Sequence, residues 1–168
     1  MKIIKEKTCT ITGHRPKGLL WGYNENDNRC VKFREDLKVI LTGAIKYGLD
    51  TFLVGMAEGF DMICTEILIE LRKVFNHIKI IACTPCLNQE KLWSIEQQER
   101  YKQLLKKCDK QILISEKYTR TCMMDRNKFM VDNSNVVIAC FNGSNGGTRN
   151  TLSYAKEKQL KIRIINIS

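Results

Sequence analysis

Short runs of β-branched and apolar residues alternate along this chain with longer stretches in which apolar residues recur every three or four positions. Thr8–Thr12, Thr51–Val54, Lys79–Cys83, Lys110–Ile114 and Asn135–Phe141 read as strands. Their hydrophobicity is continuous rather than alternating, as expected of strands covered on both faces. Lys161–Ile167 alternates isoleucine with polar residues, the pattern of a sheet edge. Helical spacing runs over Arg29–Tyr47 (Val31, Phe33, Leu37, Ile40, Leu41, Ile45), Phe60–Val74, Trp93–Cys108, Cys122–Asp132 and Thr148–Gln159. Gly48 stands where a left-handed cap would close the first helix. One long irregular stretch, Lys17–Asn28, is expected to be either a binding loop that closes over a site or a solvent-exposed insertion.

Strands separated by helices specify an α/β fold: a parallel sheet with helices on both faces, here as a single domain over residues 1–168. Three of the strands run into glycine loops. These are Gly13-His14-Arg15-Pro16, Gly55-Met56-Ala57-Glu58-Gly59-Phe60-Asp61 and Asn142-Gly143-Ser144-Asn145-Gly146-Gly147-Thr148, each followed by a helix. Such turns expose backbone N–H groups at the positive end of a helix dipole, where anions bind. All three lie at carboxyl ends of strands, the edge at which open parallel sheets take their ligands. One site for a phosphate-bearing molecule is therefore expected.

Composition narrows the classes. Hydrophobic content of 43% and charged content of 27% are those of a globular domain. The first residues lack an apolar leader-like run and no stretch approaches spanning length, so no membrane association and a cytoplasmic location are expected. Eight cysteines without a secretion signal read as free structural thiols, Cys83 and Cys86 included. With two histidines and no paired CxxC, no metal site is expected, and neither a Walker motif nor GxGxxG is present. No cofactor is implied. The net charge of +10 favours an anionic partner without choosing between a nucleotide and a nucleic acid.

Candidate chemistry sits on the loops. Gly146, Gly147 and Thr148 suit close approach of a phosphate, with Thr148 also placed to cap the helix, and Ser144, Asn145, Asn150 and Thr151 adding uncharged donors. Arg15 offers a planar fork for phosphate, and His14 is a donor, a general acid/base or a turn residue. Glu58 and Asp61, beside Gly55, either cap the next helix or accept from ribose hydroxyls. Arg126 shares a helix face with Met130, and is either a surface ion-pair residue or a partly buried cation aimed at the sheet's carboxyl edge.

Taken in order, Thr12-Gly13-His14-Arg15-Pro16, Gly55-Met56-Ala57-Glu58-Gly59-Phe60-Asp61, Asp125–Asp132 and Gly146-Gly147-Thr148 resemble the SLOG superfamily, and within it the YpsA-like branch, over nearly the whole chain. The resemblance implies a Rossmann-like, doubly wound, mostly parallel sheet that binds nucleotides or nucleotide-derived ligands. It also relates the chain to LOG phosphoribohydrolases, which release a base from a nucleoside monophosphate, and to DprA proteins, which bind single-stranded DNA. Met124, Arg126 and Lys128 resemble the LOG cation pair, with Asn127 between the cations, but Thr151 stands where the LOG glutamate would be. A threonine cannot stabilise positive charge developing on the ribose as a carboxylate can.

Three functions follow, in this order. The first is binding of a nucleotide-derived small molecule, sensed or sequestered without turnover. The second is a nucleotide N-glycosidase with Arg126 on the phosphate and Glu58 or Asp61 assisting. The third is single-stranded DNA binding. Pairing into a homo-oligomer would use the mixed apolar–polar helix Trp93–Cys108.

Overall fold

The computed structural model describes residues 1–168. Six strands, β1 Thr8–Gly13, β2 Thr51–Val54, β3 Lys79–Thr84, β4 Lys110–Leu113, β5 Val136–Phe141 and β6 Lys161–Asn166, form one sheet in the order β4-β3-β2-β1-β5-β6. Every neighbouring pair is parallel. Five helices connect them: α1 Asn28–Tyr47, α2 Phe60–Arg72, α3 Ile95–Lys107, α4 Cys122–Asp132 and α5 Gly147–Glu157. The fold is the α/β, Rossmann-like architecture expected from the sequence.

The layering follows from the strand order. From β1 to β4 the chain steps in one direction, and right-handed crossovers place α1, α2 and α3 on one face. It then returns through α4 to lay β5 beside β1, which puts α4 and α5 on the other face. Side chains alternate accordingly. Phe52 and Val54 enter the main core with Leu37 and Leu41 of α1 and Ile63 of α2. Leu53 between them faces Ile81 and Met130 on the opposite side. Double-sided burial is why these strands read as unbroken apolar runs.

The reversal leaves a cleft at the carboxyl ends of β1 and β5, the switch point at which open α/β sheets bind ligands. Lys17–Asn28 is anchored to the body, although Leu20, Tyr23, Asn24 and Asn26 stay exposed and Lys17 reaches the cavity. Trp21 is buried, its ring 5.0 Å from that of Phe33. Glu25 accepts from Arg100 at 2.6 and 2.9 Å and pairs with Arg34 at 3.4 Å, while Arg100 also donates to Glu66. An ion network joining three helices pins the segment down.

Smaller differences have local causes. Helix α3 starts at Ile95 rather than Trp93, because Ser94 accepts from the Gln97 N–H at 3.2 Å and sets the N-cap there. All eight cysteines are free and all but Cys108 are buried. Burial pushes the Cys83 thiol up to about 12, which keeps it protonated and unreactive.

Candidate functional site

The glycine loops converge. A cavity of about 580 Å³ opens at the switch point, within the range of small-ligand sites. Gly13, His14 and Arg15 enter it from the exit of β1, Asp61 from α2, Arg126 from α4, and Gly147 and Thr148 from the start of α5. Lys17, Asn127, Asn142, Ser144 and Asn145 complete its polar wall. Asn127 and Asn142 lie within sequence motifs that do not single them out as ligand contacts, and Lys17 stands just past the first glycine loop.

The helices that reach this cavity differ from those that do not. Helices α1 and α3 have side-chain N-caps, Asp27 and Ser94. Helices α2, α4 and α5 have none. An uncapped helix start leaves N–H groups seeking an acceptor. At α5 the N-cap is Gly146, and Thr148, expected to cap, lies inside the helix instead, with no hydrogen bond to its hydroxyl. Gly147 and Thr148, the first residues of α5, line the cavity at the helix end whose dipole favours negative charge.

The two cations in the cavity have different duties. Arg15 is exposed and touches only the Met123 sulfur at 3.8 Å, with no carboxylate partner. Arg126 is 4% exposed. Its Nη1 donates to the Gly55 carbonyl and, at 3.3 Å, to the Cys83 carbonyl, while Nε donates to Asn127 at 2.7 Å. It is a buried strut that ties α4 to the carboxyl ends of β2 and β3, with only Nη2 free of an oxygen acceptor. The surface ion-pair reading of Arg126 fails on this burial.

Gly55 makes that strut fit. A Cβ there would lie 2.6 Å from Arg126 Nη1 and 2.9 Å from Asp61 Oδ2. Asp61 Oδ2 accepts from the Ala57 N–H at 3.1 Å, and Oδ1 is buried with no partner. Burial raises the Asp61 carboxyl from 3.8 to about 6, against the pull of Arg126, the Ala57 N–H and Arg15. The folded state thus holds this proton more tightly than the unfolded chain does. The contribution to stability is full below about 3.8 and is lost as pH rises through about 6. Urea denaturation should show wild-type protein about 1 kcal/mol less stable at pH 7.5 than at pH 5 from this group, a loss absent in Asp61→Asn.

His14 works between loops. Its Nε2 accepts the Asn142 N–H at 3.0 Å, which requires the neutral ring, and burial lowers its pKa. Its ring stacks on Phe141 at 5.7 Å. It therefore ties the exit of β1 to that of β5, with the acceptor nitrogen already used.

Other expected site residues lie apart. Glu58 accepts from the Tyr23 hydroxyl at 2.7 Å and lines a separate, smaller hollow. Lys128 lies over the Tyr154 ring at 5.5 Å. Asn150 is exposed on α5 and its backbone N–H bonds to Gly146, outside the cavity lining. Thr151 is fully buried and its hydroxyl donates to the Gly147 carbonyl at 2.8 Å. Gly55 packs against Arg126 and Asp61 behind the lining, and Gly146 is the exposed N-cap of α5 beside it.

The sequence profile of the YspA SLOG family matches residues 9–168. The chain belongs to this family. Among YspA SLOG relatives, the SPbeta prophage-derived protein YoqJ of Bacillus subtilis is 33% identical over 136 residues, covering 74% of this chain and 78% of that protein. A UPF0398 protein of Brevibacillus brevis is 25% identical over 142 residues, covering 82% and 74%. In structure the chain is similar to DNA processing protein A of Helicobacter pylori, described for its single-stranded DNA binding mode. That match has TM-score 0.62 and 16% identity and covers 95% of this chain. The Streptococcus pneumoniae DprA gives TM-score 0.61 and 13% identity over 98% of the chain. The family member described here spans 65% and 51% of those two proteins, and at such identities the likeness is one of fold. No helix is long and apolar enough to cross a membrane.

Proposed function

We propose that this protein binds a nucleotide or nucleotide-derived small molecule in the switch-point cavity and does not turn it over. The observation that carries the reading is the uncapped start of α5 lining the same cavity as an arginine, Arg15, whose side chain bonds only to the Met123 sulfur. A phosphate supplies what both lack: acceptors for orphan N–H groups and a charge for the guanidinium. The amides of Asn127, Asn142 and Asn145 give neutral donors and acceptors for the rest of the ligand. Against turnover stand Thr151, whose hydroxyl is spent within its own helix, and Glu58, which is held by Tyr23. Asp61 and Arg126 remain as the pair on which a LOG-like N-glycosidase would depend, and release of free base from nucleoside monophosphates tests that alternative.

Thermal-shift screening with nucleoside mono- and diphosphates, cyclic nucleotides and ADP-ribose derivatives tests the binding reading. A ligand present at 100 times its Kd adds about 2.7 kcal/mol of stability. Arg15→Glu, an exposed change, should leave the unliganded melting temperature in place and weaken phosphate-dependent stabilisation at least about tenfold in ligand concentration. No shift from any of these compounds at millimolar concentration would sink the proposal.

A second reading is single-stranded DNA binding, supported by the net charge of +10 and by the DNA-binding mode described for the Helicobacter pylori neighbour. It requires affinity for oligonucleotides that falls steeply with salt. Fluorescence anisotropy across a salt series separates it from small-molecule binding.

A further inference from the structure

The unexplained group in the cavity is the Asp61 carboxylate. It is 6% exposed, it lines the cavity, and Oδ1 has no hydrogen-bond partner. Buried carboxylate oxygens are ordinarily satisfied, because desolvating one without a donor is costly. The neighbouring cation does not account for it. Arg126 makes no hydrogen bond to Asp61 and gives its Nη1 hydrogens to the carbonyls of Gly55 and Cys83. The single contact of Asp61, from the Ala57 N–H, uses Oδ2 alone. An acceptor therefore stands unused just behind the wall of a cavity that the uncapped start of α5, Gly147 and Thr148, lines on the other side.

We infer that Asp61 reads the sugar: its carboxylate accepts a hydrogen bond from a ribose hydroxyl, so that the site selects ribonucleotide-type ligands over deoxy ones. This rests on the reading of the cavity as a nucleotide site. The polarity of the two walls fixes how a ligand lies. A phosphate is repelled by the carboxylate and attracted by the N–H groups of α5 and by Arg15, which sends it to the α5 side. The part left beside Asp61 must then offer hydrogen-bond donors rather than acceptors. In a nucleotide the groups nearest the phosphate that do so are the sugar hydroxyls. The final torsion of an aspartate is broad, so the carboxylate can turn its unused oxygen toward them. Topology agrees: α2, which carries Asp61, follows β2 on one flank of β1, and the α5 loop follows β5 on the other. A ligand spanning the switch point meets both. The same selectivity disfavours DNA as the occupant, since DNA lacks the 2′-hydroxyl and has its 3′-hydroxyls esterified.

Calorimetric titration of wild-type and Asp61→Asn protein tests this, with adenosine 5′-monophosphate, its 2′-deoxy and 2′,3′-dideoxy forms, and the uridine counterparts, which lack an exocyclic amine. Wild-type protein is expected to bind the ribonucleotides about tenfold or more tightly than the dideoxy forms with either base, and Asp61→Asn to bind both alike. Equal wild-type affinity for ribo and dideoxy forms overturns the inference and leaves the nucleotide site standing. Discrimination that persists in Asp61→Asn assigns the hydroxyl to another residue and also overturns it. Discrimination seen with adenosine alone points Asp61 at the base amine, again against the inference. Failure of every nucleotide and of inorganic phosphate to bind removes the site itself. The asparagine retains an acceptor for the Ala57 N–H, and a urea titration of the variant confirms folding before binding is read.

Discussion

Arg126→Met should destabilise the protein by about 3–5 kcal/mol, the usual result of removing one charged member from a buried polar arrangement. Methionine fills much of the same space, so the loss is not mainly one of packing. It comes from the carbonyls of Gly55 and Cys83, which lose their donor, and from Asp61, which loses the cation that moderates its burial. Part of the loss should disappear at pH 5, where Asp61 in the variant is protonated and carries no charge to be offset. Arg126→Lys should retain the charge but not the fork that spans both carbonyls and Asn127, and should fall between the two. Urea denaturation at pH 5 and 7.5 measures all three. A loss under about 1 kcal/mol for the methionine variant would mean that the strut does not hold the loops.

Gly59→Ala is expected to be as damaging, for a reason in the backbone. Gly59 has φ of 88°, and a Cβ there would stand 2.7 Å from the His14 carbonyl oxygen and 3.0 Å from the Arg15 backbone. That carbonyl also accepts the Phe60 N–H at 3.1 Å, which locks the start of α2 against the exit of β1. Neither side can yield without moving the cavity wall. Strain and overpacking together predict a loss of about 3 kcal/mol or more. Gly143→Ala serves as the control: φ is again 88°, but no atom lies within 4 Å of the added carbon. Its expected cost is about 1 kcal/mol, the backbone preference alone. Similar melting temperatures for the two variants would show that close approach of the loops is not what requires glycine at position 59.

Much of the architecture was legible in the sequence because its signals are local. Thr51–Val54 and Cys122–Asp132 keep the boundaries read from spacing, since a buried strand between turns and an apolar face at helical period each declare themselves within one element. The glycine loops could be placed at one sheet edge for the same reason: parallel strands deliver all their carboxyl ends to one side. What was not legible depends on which of several loops a side chain meets. Glu58 and Asp61 are three residues apart, one on the loop before α2 and the other in its first turn, yet Glu58 turns to Tyr23 and Asp61 to the cavity. Nothing in their spacing distinguishes them. Lys128 and Arg126 are two apart on α4 and so point differently, one over Tyr154 of α5 and the other beneath the strand ends. The anchoring of Lys17–Asn28 likewise rests on Arg100, a residue far away in sequence, so a stretch with loop composition proves to be pinned to the body.

Where a phosphate binds decides whether the switch-point cavity is a nucleotide site. The most direct measurement is a crystal structure of the protein soaked with the nucleotide that stabilises it most in the thermal screen. Phosphate density is expected against the N–H groups of Gly147 and Thr148, with Arg15 turned onto it and the sugar beside Asp61. An empty switch-point cavity at millimolar ligand, or a phosphate bound elsewhere on the molecule, would contradict that expectation.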